Sequence, residues 1–187
     1  MKIFYRAGLL ALPLLFSGVA MATNYKIDPA HSSANFVISH MGFGHMPGQF
    51  NELAGNYSVD DDGTSVKAEV IVKTASVFTN HDKRDKHLRS PDFFDAKQYP
   101  ELTFTSNAFE GTAESGVLTG NLTLHGVTRS VSFDVKKTGE GKDPWGGYRQ
   151  GIVARATIDR TQFGMEYGVP DIPAKLEVTL YIEGMRQ

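Results

Sequence analysis

The chain has 187 residues, with 19 Lys and Arg against 21 Asp and Glu and no cysteine. Its length suits one domain, and the slight acidic excess argues against nucleic-acid binding by phosphate neutralisation. Without cysteine there is no thiol catalysis, disulfide or thiolate metal site, although an oxidising compartment stays open.

The chain opens with "MKIFYRAGLLALPLLFSGVAMA". Lys2 and Arg6 form a basic start, Ala7 to Val19 is mostly apolar, and Ala20 and Ala22 place small residues where a signal peptidase reads. The apolar run is shorter than the ~20 residues a membrane span needs. The sequence thus predicts a secretory leader over residues 1–22, cleaved after Ala22, and one domain over 23–187. No later segment is apolar enough to cross a bilayer as a helix, so no integral membrane segment is expected after leader removal. The periplasm is the expected destination.

From there on, the recurring signal is alternation at period two, the mark of strands with one buried face. It runs through Ala34, Phe36 and Ile38, then Gly48 to Val59 around Phe50, Tyr57 and Val59, then Val66 to Val72. After a charged interval it resumes at Leu102 and Phe104, Leu118 to Leu124, Val131 to Val135, Ile152 to Ile158 and Leu176 to Ile182. Turn sequences separate several of these runs: "DDDG" at Asp60, "AESG" at Ala113, "HG" at His125 and "DPWGG" at Asp143. Short glycine-bearing turns imply antiparallel neighbours. The pattern gives about eight antiparallel strands, and these can form a sandwich or close into a barrel.

The charged interval, "TNHDKRDKHLRS" from Thr79 to Ser90, breaks the alternation and reads as helix. Thr79 and Asp82 have capping-box spacing, and Asp85 and Arg89 stand four apart in the favourable order for a helical ion pair. Ser90-Pro91-Asp92 predicts a second short helix that ends before Tyr99-Pro100. A helical insertion near residues 80–98 is therefore expected, its charges in solvent and Leu88, Phe93 and Phe94 docked beneath.

The chemical readings are weak. His81 and Asp85 share a helical face but His87 does not, and two ligands are too few for a closed zinc site. There is no G-x-S-x-G elbow, and "GFG" at Gly42 lacks the lysine and helix of a phosphate loop. No catalytic residue, metal or cofactor is assigned. What stands out is an apolar inner surface rich in phenylalanine. Small residues at Ala68, Gly120, Ala154 and Ala156 read as leaving space inside it. An ordinary filled core and a hollow interior shaped for a hydrocarbon both fit this pattern.

Four stretches together resemble the YceI family of polyisoprenoid-binding periplasmic proteins. They are "IDPAHSSANFVISHMGFGHMPGQF", "SVFTNHDKRDKHLRSPDFFDAKQYPELTFTS", "GNLTLHGVTRSVSFDV" and "DPWGGYRQGIVARATIDRTQFG". Phe78, where an aspartate is frequent, and Ser130, where a proline is frequent, depart from the family pattern. The resemblance implies an all-β fold: an eight-stranded antiparallel lipocalin-like barrel with a helical insertion, holding a long isoprenoid or other amphiphilic lipid. Homodimers occur among the proteins the chain resembles, and the resemblance favours the hollow interior. The residues then expected to face the ligand are Phe36, Ile38, Phe43, Phe50, Val70, Phe104, Leu122, Phe133, Ala154, Ile158, Phe163 and Leu180. A quinone-like lipid is a second candidate guest. The alternatives to a carrier are an enzyme or redox accessory acting on such a lipid and a stress-related structural protein that binds none.

Overall fold

The computed structural model describes residues 22–187; the expected leader, up to Met21, lies outside the described residues. Among the described residues, eleven strands form one continuous antiparallel sheet. The first six are β1 (Ala22–Ile27), β2 (Ser33–His40), β3 (Gly44–Phe50), β4 (Leu53–Asp60), β5 (Val66–Lys73) and β6 (Val77–Phe78). A helix α1 (Asp82–Leu88) follows, then β7 (Glu101–Gly111), β8 (Ser115–Leu124), β9 (Val127–Lys142), β10 (Tyr148–Asp159) and β11 (Lys175–Arg186).

The eleven segments make eight staves. β1 and β2 run one after the other along β11: Tyr25 to Ile27 pair with Arg186 to Gly184, and Ser33 to Val37 with Tyr181 to Glu177. β3 and β4 form the next stave and β5 with β6 the third, because β4 pairs β1 and β5 while β3 pairs β2 and β6. The other five strands are unbroken by loops, and β1 meeting β11 closes a barrel of eight strands with no free edge. Among the described residues no helix is long and apolar enough to cross a membrane.

The expected strand over Gly48 to Val59 is broken at Asn51-Glu52, where Asn51 N–H reaches Ser76 O and Glu52 N–H reaches Ser76 Oγ across the sheet. β1 was not among the expected runs, since Tyr25 and Ile27 offer only two apolar positions. Its partners explain it: Tyr25 stacks on Tyr57 at 4.8 Å, and Gly184 of β11 lies against the Tyr57 ring. The "HG" turn joins β8 to β9 with positive φ at both His125 (52°) and Gly126 (74°), the two-residue hairpin geometry that matches strand twist.

An ionic knot holds the break between β1 and β2. Arg149 on β10 donates from Nη1 to Asp28 Oδ2 at 2.7 Å and to Glu183 on β11, and from Nε to Asp143 Oδ2 at 3.0 Å. His31 Nδ1 adds a contact to Asp28 at 2.8 Å. The guanidinium, with His31 second, holds the Asp28 carboxyl well below the usual carboxylate range. A depressed folded pKa contributes stability above the ordinary aspartate value of 3.8 and loses it as pH falls toward the folded value. Arg149→Met is therefore expected to lower Tm clearly at about pH 7, with the gap to wild type narrowing at about pH 3. Thermal melts at both pH values check this; an equal gap at both would contradict it.

Candidate ligand-binding cavity

Inward-facing residues alternate along every stave, but they are not equally covered. On β11, Leu176, Val178 and Leu180 point inward with the apolar cluster yet remain only half-buried, whereas Ile182 at the end of the same row is buried. Residues enclosed by a barrel and still accessible to water must border empty space. That space is a cavity of about 430 Å³, within the size range of small-molecule sites. Its wall is almost entirely apolar and draws on β2, β3, β5, β7 to β11 and the α1 segment. His40, Met41, Tyr167 and Asp171 belong to the lining and are exposed, so they mark the rim where it meets solvent.

The charged segment covers this end. His81, not Thr79, caps α1, its Nδ1 accepting from Arg84 N–H at 3.2 Å. Asp85 is 3 % exposed and does not pair with Arg89; it accepts from Thr79 N–H at 2.9 Å and from the Thr79 hydroxyl. Arg84 donates from Nη2 to Thr79 O at 2.6 Å, and Arg89 from Nε to Ala75 O and from Nη2 to Val77 O at 2.7 and 2.8 Å. Arg84, Asp85 and Arg89, expected on the solvated face, thus tie the cover to Thr79 and to the backbone of Ala75 and Val77. The expected second helix is absent. Turns fill 90–98 instead, with Ser90 O accepting from both Phe93 and Asp95 N–H. Leu88, Phe93 and Phe94 still face the cavity and form its ceiling.

Arg160, 4 % exposed, anchors the rest of the rim. Its guanidinium donates to the carbonyls of Pro173, Met165, Tyr167 and Ile172 at 2.6 to 3.0 Å. Burial pulls its pKa down, opposed in part by the nearby Asp159 charge. Four carbonyl dipoles in place of a carboxylate let a charged group border an apolar cavity while fixing the 165–173 loop. His87 contacts Asp92 at 2.7 Å and sets its ring edge-on to both Phe93 and Tyr167. His81, Asp85 and His87, weighed as metal ligands from the sequence, thus engage three different partners. Among the described residues, Asp28, His31 and Glu183 bring metal-type donor atoms within 4.8 Å of one another. Arg149 already occupies their centre.

The closed eight-stave barrel also occurs in known proteins. Residues 25–184 match the model of the YceI-like domain. The chain belongs to the YceI-like family. It is 41% identical over 177 residues to a "UPF0312 protein" of Pseudomonas aeruginosa, covering 93% of both chains. A UPF0312 protein of Yersinia enterocolitica is 40% identical over 183 residues, covering 96% of this chain and 95% of the relative. Among solved structures, the Campylobacter jejuni YCEI protein superposes with a TM-score of 0.73 at 28% identity, covering 80% of this chain and 90% of that one. A polyisoprenoid binding domain from Saccharophagus degradans shares the fold at 19% identity and a TM-score of 0.65, covering 87% and 98%.

Within this YceI-like barrel, nine of the twelve residues expected at the ligand lie on the cavity wall: Phe36, Ile38, Phe50, Val70, Phe104, Leu122, Phe133, Ile158 and Leu180. Ala154 instead lines a second, smaller cavity of about 100 Å³. Phe43 is 86 % exposed at the tip of the β2–β3 hairpin, where the chain reverses and inward alternation ends. Phe163, 1 % exposed, sits in the short turn Arg160–Phe163 and packs in the core without reaching the cavity. Gly120 leaves no space, contrary to expectation. A Cβ there would stand 2.4 Å from the Thr105 carbonyl oxygen and 2.6 Å from Cζ of Phe104, so neighbouring backbone and the ring already fill the place. Gly48 does the same for Phe36, at 2.2 Å. Both glycines seat aromatic rings. Ala68 lines the smaller cavity and Ala156 neither. Missed altogether were Met165, Tyr167 and Ile172, which lie in a loop without periodicity.

Proposed function

We propose that this protein is a periplasmic carrier that holds one long isoprenoid, quinone-like or other amphiphilic lipid for storage or transport, without changing it chemically. The observation that carries the reading is the row Leu176, Val178 and Leu180, which faces inward onto vacant space. The leader sequence and the name of the Saccharophagus degradans domain support it. Taking a CH₂ from water into such a wall gains about 0.8 kcal/mol. A bilayer interior is equally apolar, so exchange between bilayer and barrel runs near balance, as reversible carriage requires. Apolar contact holds the tail, and Arg84, His87 and Tyr167 near the rim are the polar groups a head would meet.

Delipidated protein incubated with vesicles containing a prenyl quinone is expected to leave with about one quinone per chain, the occupancy a single enclosed site allows. Leu88→Asp places a carboxylate in the ceiling, which is expected to cost about 2 kcal/mol of stability and at least about tenfold in quinone retention. Gel filtration of the loaded variant measures retention and urea titration measures stability. If both stay at wild-type values, the ceiling role of Leu88 is wrong.

A further inference from the structure

The barrel interior is not one tube. The main cavity and the smaller cavity share four wall residues: Val70 on β5, Phe104 on β7, Phe133 on β9 and Leu180 on β11. These strands are spread around the closed sheet, so the four side chains form a girdle across the bore. Its densest part is an edge-to-face pair, Phe104 against Phe133, with centroids 5.2 Å apart and planes at 80°. The two rings come from strands separated by β8, where Gly120 leaves room for the Phe104 ring. Any larger residue at position 120 would collide with the Phe104 ring. Both phenylalanines are about 5 % exposed, close-packed in a barrel that is otherwise partly vacant.

Beyond the girdle the bore continues. The smaller cavity is walled by Val66, Ala68, Leu118 and Ile152, and its lining also includes Glu114 and Lys137, which pair at 2.7 Å, with Glu140 3.1 Å from Lys137. An apolar chamber beyond a ring of phenylalanines would accept more hydrocarbon if the ring were absent.

We propose that the Phe104–Phe133 girdle is a length stop that sets how many isoprene units the protein accepts from the rim. This rests on the reading of the barrel as a lipid carrier and gives it a specificity-determining pair. A tail enters past Met41 and Tyr167, fills the main cavity and ends against the two rings. Units beyond that length stay outside the wall and add little affinity. Removing either ring joins the chambers and lengthens the preferred guest.

The test is binding of a graded series of all-trans prenyl alcohols, from about three to about ten isoprene units, to wild type, Phe104→Ala and Phe133→Ala. Phe133→Leu, which removes one ring of the pair but keeps most of the packing volume, decides the matter if the alanine variants do not fold. Wild-type affinity should rise with length and then level off. In the variants the plateau should move outward by at least about one unit, with the longest guests gaining about tenfold or more relative to the shortest. Folded variants with the wild-type plateau would overturn the length stop alone, since a merely structural pair changes stability without moving it. Wild-type protein that binds no prenyl alcohol would sink the carrier reading and the stop with it.

Discussion

Val178→Trp is expected to cut lipid occupancy at least about tenfold while changing unfolding stability by less than about 1 kcal/mol. The two halves of this result have one cause. Val178 lies mid-way along β11 opposite Phe36 on β2, points inward and is only half-buried. An indole there extends into space that the guest would occupy. In a filled interior the same enlargement forces neighbours off their rotamers and costs roughly 1–3 kcal/mol. Urea unfolding and lipid content on one preparation separate the cases. A large loss of stability with lipid content unchanged would mean that the residue faces packed protein.

Phe163→Ala should behave in the opposite way: a loss of about 3–5 kcal/mol, with lipid per folded molecule unchanged. Phe163 is 1 % exposed and its carbonyl lies 3.1 Å from His125 Nδ1, which links the turn after β10 to the β8–β9 hairpin. Truncation leaves a void in packed core, where relaxation is limited. Chemical denaturation gives the first number and lipid extraction the second. If stability held and lipid were lost, Phe163 would belong to the ligand site after all.

The contrast between these two residues shows what the sequence could and could not disclose. Period-two alternation identifies a face, and for Val66 to Val72 and Leu176 to Ile182 it identified the strands β5 and β11 as well. It does not say what stands opposite that face. Phe163 and Phe36 were both expected at the ligand; one is sealed in core and the other borders a cavity. Gly120 was misread for the same reason, because the ring that fills its place comes from a neighbouring strand. Nonlocal bonds also hide the stave breaks and the rim. Ser76 closes Asn51-Glu52 from a distance, and the 165–173 loop depends on one buried arginine, Arg160. The helical insertion was legible from its charge spacing, but the partners were not. Asp85 and Arg89 turn away from each other toward Thr79 and the backbone of Ala75 and Val77.

All of this depends on an oily guest finding shelter where β11 leaves room beside its own side chains. Mass spectrometry of the organic extract from natively purified protein, quantified per mole of chain, decides it. A long-chain amphiphile near equimolar with the protein, reduced in Val178→Trp, is the predicted result. Extracts with no lipid enriched over a control protein, and no uptake from vesicles afterwards, would contradict it.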